Sequence, residues 1–115
     1  MIHHMKLSRG PFLAIQSGIK DIEMRLHDEK RQRINAGDLI CFTYPKTGET
    51  ITALVLEKLV YPDFSYIYQR FPKERLGYSA DEIASPVDMT QYYPEDEIIK
   101  WGVAALVIRL IQQNQ

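Results

Sequence analysis

Lys20, Glu23 and Arg25 are the residues of this sequence whose types and spacing best fit a binding or catalytic role. They lie in a short run that begins at Gly18, in which apolar and charged side chains alternate. Alternation of this kind predicts a strand with one buried face and one polar face. Because side chains two positions apart share a face, Glu23 and Arg25 point the same way. The three charges form either a solvated edge or the wall of a polar cleft.

In a cleft, each of these side chains has its own chemistry. The guanidinium of Arg25 suits a phosphate or a base edge, which it binds through two hydrogen bonds. Glu23 would orient Arg25 or accept a hydrogen bond from an exocyclic amine. Lys20 would act as a base or an electrophile. At a solvated edge, the same residues would only form exposed ion pairs, which contribute about 0–1 kcal/mol each.

A basic segment after this run is a second candidate for ligand binding. Lys30 and Arg31 would contact backbone phosphates of a nucleic acid. Asp28 and Glu29 lie beside them, so local neutralisation is the alternative.

Aromatic residues between positions 61 and 78 provide candidates for base stacking. The helical spacing of Phe64, Tyr68 and Phe71 predicts that these side chains belong to the core. Tyr66 and Tyr78 therefore remain as the stacking candidates.

Composition restricts the classes of function. The 115 residues carry 14 basic and 15 acidic side chains, a net charge of −1, which excludes polyanion binding driven by overall charge. There is no apolar run of the length that spans a bilayer, so no membrane association is expected. Cys41 is the single cysteine, which favours a cytoplasmic location. The sequence has no zinc-like Cys/His spacing and no glycine-rich phosphate loop, so we predict neither a metal nor a cofactor.

The predicted elements alternate between strands and short helices. Strands are expected at Ile2–Leu7, Ile22–Leu26, Leu39–Tyr44, Thr50–Tyr61 and Val103–Ile108. Short helices are expected between Ser8 and Gly18, after Asp28, over Phe64–Phe71, from a capping box at Ser79–Glu82 and from Pro94 to Gly102. Residues 72–78 read as a loop and residues 112–115 as a frayed polar tail. The pattern indicates one α+β domain over residues 1–115, with five or six strands in a small, partly open barrel.

The spacing of Gly18, Lys20, Glu23 and Arg25 resembles the G-x-K-x-x-E-x-R signature of the activating-signal-cointegrator homology (ASCH) domains. Two later segments carry the resemblance along the chain: the run Ile34-Asn35-Ala36-Gly37-Asp38-Leu39-Ile40, and the closing stretch from Tyr92-Tyr93-Pro94 to Trp101-Gly102-Val103. The resemblance implies the pseudouridine-synthase-and-archaeosine-transglycosylase (PUA)-like fold. This is a five- or six-stranded pseudo-barrel with short flanking helices, in which the motif lines a cleft.

The resemblance also implies a function. Members of the family are thought to bind RNA or nucleotides, and a bacterial branch hydrolyses an acyl group from a modified cytidine. In that branch, the position of Lys20 is a catalytic lysine and the position of Glu23 is a threonine nucleophile. A carboxylate cannot replace a threonine hydroxyl in that step. The branch also uses a downstream glutamate, for which Glu74 and Glu82 are the candidates in this chain.

Three functions therefore stay open. The leading prediction is an RNA- or nucleotide-binding domain whose ligand contacts are Lys20, Glu23, Arg25, Lys30, Arg31, Tyr66 and Tyr78. The alternative is a small hydrolase, acting on acylated cytidine or on RNA, in which Lys20 is the base and Glu23 or a downstream carboxylate, Glu74 or Glu82, activates water. The third is a protein-interaction domain. The sequence does not specify the oligomeric state.

Overall fold

Five strands form one sheet in the computed structural model, which describes the backbone of residues 1–114 and the side chains of residues 1–111. The strands are β1 (Ile2–Lys6), β2 (Ile22–Leu26), β3 (Leu39–Thr43), β4 (Thr50–Tyr61) and β5 (Val103–Asn114). Their order across the sheet is β1-β3-β4-β5-β2, and only β1 and β3 are parallel. The sheet curls into a half-barrel, which confirms the predicted α+β, PUA-like class with five strands.

Strands β4 and β5 are the long pair that carries the curvature. Each has 12 residues, and their register shifts between Thr52 and Ala53 and again between Val55 and Glu57. Irregularities of this kind raise the local twist and bend a strand. The long fourth strand therefore curves with the half-barrel. Strands β1 and β2 are left as the two edges of the sheet.

Short helices cover the sheet, and two apolar clusters hold them in place. The helices are α1 (Arg9–Gln16), α2 (Glu29–Gln32), α3 (Ser65–Arg70) and α4 (Glu95–Trp101), with 3₁₀ helices at Lys73–Leu76 and Pro86–Gln91. One cluster packs α1 against β3 and β4 through side chains such as Phe12 and Phe42. The other packs α3 and α4 against β2 and β5, with Ile22 and Ile67 fully buried. No helix of the described residues is long and apolar enough to cross a membrane.

The capping box predicted at Ser79 does not begin a helix. The backbone N–H of Ser79 donates to the Glu82 carboxylate at 2.7 Å, but the Ser79 hydroxyl donates to Asp81 instead of capping a backbone N–H. A complete capping box forms six residues later, where Ser85 and Asp88 open the 3₁₀ helix Pro86–Gln91. Proline fits the first position of a helix and interrupts its interior, so the helix begins at Pro86 and not before it.

Smaller differences concern the ends of elements. Residues 72–78 contain the 3₁₀ helix Lys73–Leu76 and are not wholly a loop. Strand β1 ends at Lys6, one residue earlier than predicted, and β3 ends at Thr43. The last strand runs on to Asn114, where its backbone pairs with Thr50, so the predicted frayed tail is wrong for residues 112–114. Gln115 lies outside the described residues.

Candidate functional site

Lys20 enters the site from the turn that ends α1. Gly18 takes a positive φ of 83° there, and the backbone N–H of Lys20 donates to the carbonyl of Ala14 at 3.0 Å. The turn directs the Lys20 side chain inward, where only 8% of the residue is exposed. Gly77 lies against it from the other side: a Cβ at Gly77 would come within 3.1 Å of Lys20 Cδ. The chain thus passes close to the lysine because residue 77 has no side chain.

Glu23 holds two cations at once. Its Oε1 lies 2.9 Å from Lys20 Nζ, and its Oε2 accepts hydrogen bonds from Arg25 Nε at 3.0 Å and Nη2 at 2.8 Å. The Glu23 side chain is 4% exposed and that of Arg25 is 15% exposed. Lys20, Glu23 and Arg25 therefore form a buried ion-paired group, which we call the charged triad. The polar face of β2 is not a solvated edge.

The charges of the triad fix the protonation state of Glu23. Burial alone would raise the pKa of its carboxyl, but the charges of Lys20 and Arg25 and their hydrogen bonds outweigh burial and lower it below its usual value. Glu23 is therefore ionised at neutral pH. The carboxylate is a fixed counter-ion for both cations.

Arg25 also joins the two edges of the half-barrel. Its Nη2 donates to the backbone carbonyl of Lys6 at 3.2 Å. Lys6 ends β1 and Arg25 belongs to β2, two strands that do not pair with each other. The guanidinium thus bridges the gap between the edges of the sheet.

The triad opens into a cavity of about 740 Å³. Its lining comes from the end of β1, the start of α1 and β2, together with residues 76–78, 88, 89 and 91–93. The residues of the wall with charged or aromatic side chains are Lys6, Lys20, Glu23, Arg25, Tyr68, Tyr78, Glu82, Asp88, Tyr92 and Tyr93. The cavity size falls within the range of about 300–1,000 Å³ that is typical of small-molecule sites.

A chain of hydrogen bonds orders the part of the cavity lining that Tyr68, Tyr78 and Asp88 contribute. The Tyr78 hydroxyl donates to Asp88 Oδ2 at 2.7 Å and lies 2.7 Å from the Tyr68 hydroxyl. Because Tyr78 has one proton and gives it to Asp88, Tyr68 must be the donor to Tyr78. Burial and these hydrogen bonds raise the pKa of Tyr78. Both phenols therefore stay protonated at physiological pH.

The structure brings four of the predicted ligand residues to this cavity: Lys20, Glu23, Arg25 and Tyr78. The other three lie elsewhere. Lys30 Nζ donates to the carbonyl of His4 at 2.8 Å on the outside of β1. Arg31 is paired with Asp28 at 3.1 Å, which matches the local neutralisation considered from the sequence. Tyr66 stacks on Tyr61 at a centroid distance of 6.0 Å.

The two candidate glutamates, Glu74 and Glu82, differ in their position relative to the cavity. Glu82 lies on the cavity wall, and Glu74 is not among the residues that line the cavity. Leu76, the last residue of the 3₁₀ helix Lys73–Leu76, is buried and lines the cavity, whereas Glu74 of the same helix does not line it.

Sequence reasoning missed Gly77, Asp88 and Tyr93 as parts of the site. The Ser85–Asp88 spacing is a capping-box signal and would have placed Asp88 at the start of a helix. Only the fold brings that helix to the same cavity as β2. The hydroxyl of Tyr93 faces Arg25. Among the described residues, no group of three or more His, Cys, Asp or Glu side chains is arranged to hold a metal ion.

Comparison with known proteins places the chain among a set of similar folds. The sequence model of the ASCH domain matches residues 5–112. The crystal structure of a hypothetical protein designated PH0355 is 30% identical, with a TM-score of 0.82, and the match covers 96% of this chain and 100% of that chain. A solution structure of the protein PF0455 from Pyrococcus furiosus is 28% identical, with a TM-score of 0.76, covering 97% and 99% of the two chains.

A more distant match is the crystal structure of ASCH from Zymomonas mobilis. It is 18% identical, with a TM-score of 0.59, and the match covers 97% of this chain and 73% of that chain. At this identity, the likeness concerns the fold. Comparison with curated proteins gave no match.

Proposed function

This chain belongs to the ASCH domain family, and from that premise we propose that its cleft binds one nucleotide or nucleoside unit, free or within RNA. The burial of the charged triad at the cavity wall is the observation that carries the proposal. Desolvation opposes the burial of charges, so a buried ion pair is a poor source of stability. Charges that are buried, fixed and open to a cavity are typical of binding sites.

The site offers two kinds of contact to such a ligand. Lys20 and Arg25, both fixed by Glu23, present N–H donors to a phosphate or to a base carbonyl. The aromatic rings of Tyr92, Tyr93 and Tyr78 line the same cavity, and Tyr92 is 60% exposed. Exposed aromatic rings stack on nucleobases, with about 1–3 kcal/mol per base. Cationic donors and aromatic rings in one cavity suit a nucleotide better than an aliphatic acid.

One observation favours the hydrolase alternative, and another opposes its simplest form. Glu82 lies in the same cavity as Lys20, so a carboxylate is present to activate water. Lys20, however, is held 2.9 Å from an ionised and buried carboxylate, which stabilises the ammonium. An ammonium is a proton donor and not a base. A hydrolase built on this cleft would therefore use Glu82 as its base and Lys20 to stabilise developing negative charge.

A thermal-shift titration with the four nucleoside 5′-monophosphates, their nucleosides and a short single-stranded RNA tests the proposal. At a ligand concentration of 100 Kd, binding stabilises the folded state by about 2.7 kcal/mol, which raises the Tm measurably. We expect Lys20→Met to remove the shift. Arg109→Gln is the matched control, because Arg109 is exposed on β5 outside the cavity wall.

Each result has a distinct meaning. A shift with unchanged ligand supports binding, whereas a mass-spectrometric product that depends on Glu82 supports the hydrolase. If no nucleoside, nucleotide or RNA shifts the Tm of the wild-type protein, the proposal is wrong and the protein-interaction alternative is favoured.

A further inference from the structure

The charges that line the cleft differ between two parts of the chain. Strands β1 and β2 and the turn before β2 contribute three cations and one carboxylate, Lys6, Lys20, Arg25 and Glu23, whereas Glu82 and Asp88 add two carboxylates from the later segment. A nucleotide in the cleft fits this distribution with its phosphate toward Lys6, Lys20 and Arg25. If the nucleotide belongs to an RNA strand, the next phosphates are repelled by Glu82 and Asp88 and attracted by Lys6.

The basic side continues beyond the cleft along the open edge of β1. Side chains of β1 alternate, so that His4 and Lys6 are exposed while His3 and Met5 are buried. The carbonyl of Lys6 accepts from Arg25, and the carbonyl of His4 accepts from Lys30. Two cations thus cross the same strand edge two residues apart. Lys30 contacts β1 at His4, which does not line the cavity, whereas Arg25 contacts it at Lys6, which does.

We infer that the backbone of a single-stranded RNA leaves the cleft along this edge, across Lys6 and His4 to Lys30. These three side chains form what we call the β1 strip. The inference rests on the proposed function, because it extends a nucleotide bound in the cleft into a longer strand. It goes beyond that function by giving the strand a direction and a second binding surface.

The chemistry of the strip suits phosphates in particular. The Lys30 ammonium has three N–H groups and uses one on the His4 carbonyl, which fixes its position and leaves two for a ligand. Lys6 is exposed at the cavity rim, so its ammonium is available to a second phosphate. Arg31, by contrast, is bound to Asp28 through both carboxylate oxygens and adds little. The net charge of −1 does not oppose this local attraction, because salt screens charges more than about 8–10 Å away.

The salt dependence of RNA binding tests the β1 strip. We would measure the Kd of a fluorescently labelled, short single-stranded RNA of mixed sequence by anisotropy at several salt concentrations. Each phosphate contact contributes about 0.7 to the log–log slope for a single strand. We expect Lys30→Gln to reduce the slope by about 0.7, and Lys6→Gln with Lys30→Gln to reduce it by about 1.4. Lys100→Gln is the matched control, since Lys100 is exposed on α4 outside the cleft.

A parallel titration with nucleoside monophosphates separates the strip from the cleft. Lys30→Gln should leave monophosphate binding unchanged, because Lys30 does not line the cavity. If the RNA binds no more tightly than a monophosphate, or if Lys30→Gln changes the slope no more than Lys100→Gln, the inference is overturned while the cleft proposal stands. If RNA binding depends on Lys30 but no monophosphate binds, the strip stands and the cleft proposal fails. Circular dichroism of each variant verifies that it is folded.

Discussion

Replacing Glu23 with glutamine should destabilise the protein strongly. The change keeps the size of the side chain but removes the negative charge that faces Lys20 at 2.9 Å and Arg25 at 2.8 Å. Lys20 is 8% exposed, so its ammonium would keep little solvation and lose its counter-ion. Removing one partner of a buried ion pair costs about 3–5 kcal/mol. For a domain of this size, each kcal/mol lowers the Tm by about 4 °C, so the expected fall is roughly 12–20 °C.

Urea denaturation followed by circular dichroism measures the loss directly. Glu29→Gln is the control, because Glu29 is an exposed carboxylate in the first turn of α2. We expect that variant to lie within about 0.5 kcal/mol of the wild type. If Glu23→Gln is as stable as Glu29→Gln, Glu23 is not the counter-ion of two buried cations, and the charged triad is not held together by ion pairing.

A triple variant separates the stability of the triad from its function. Lys20→Met, Glu23→Leu and Arg25→Met together replace the buried charges with apolar side chains of similar length. Replacing a complete buried ion pair in this way is often neutral or stabilising by about 1–4 kcal/mol. We therefore expect the triple variant to be more stable than Glu23→Gln and to bind no nucleotide. Retained binding would refute the assignment of the cleft as the site.

Further predictions concern the surroundings of the triad. Gly77→Ala forces an alanine to a φ of 107° against Lys20, so it should cost about 1–2 kcal/mol in urea denaturation and weaken nucleotide binding. Tyr78→Phe removes the donor to Asp88 and should cost about 1.5 kcal/mol, whereas Tyr66→Phe, outside the cleft, should cost far less. The pKa of Glu23 is lowered from its ordinary value of 4.5, so its stabilisation is complete above that pH and lost as pH falls through the lower folded-state pKa. We would measure the urea concentration at the midpoint of unfolding from pH 7 down to pH 3. Below about pH 4.5, this midpoint should fall more steeply for the wild type than for the triple variant.

The strands and the class of fold followed from local patterns. Alternation located β2, because that signal depends only on neighbours in the sequence. The capping box at Ser79 failed for a reason of the same kind. Its residues are correct for a cap, but Asp81 competes for the serine hydroxyl and Pro86 favours a later helix start. Competing local signals are resolved only by packing.

The composition of the cleft could be predicted only in part. Lys20, Glu23 and Arg25 are close in sequence and share one strand and its turn, so their proximity follows from strand geometry. Asp88 reaches the same cavity from 65 positions beyond Glu23, by the numbering of the chain. No local pattern reports a contact over that separation. The burial of Glu23 at 3% exposure was equally invisible, since alternation placed it on the polar face.

The double role of Arg25 explains why charges are buried at this place in the fold. Strands β1 and β2 each pair with a neighbour on one side only, and direct pairing between their open sides would close the cleft. A side chain that reaches from β2 to the Lys6 carbonyl connects the edges and leaves the cavity open. Only a long donor with several N–H groups can contact a carbonyl and a carboxylate together, and Glu23 supplies that carboxylate. Variants of Arg25 will therefore change stability and binding at once.

Lys20, by contrast, forms an ion pair only with Glu23 within the described part of the chain. In Lys20→Met, Arg25 still neutralises the carboxylate, so ligand binding should fall by a larger factor than the folding equilibrium constant.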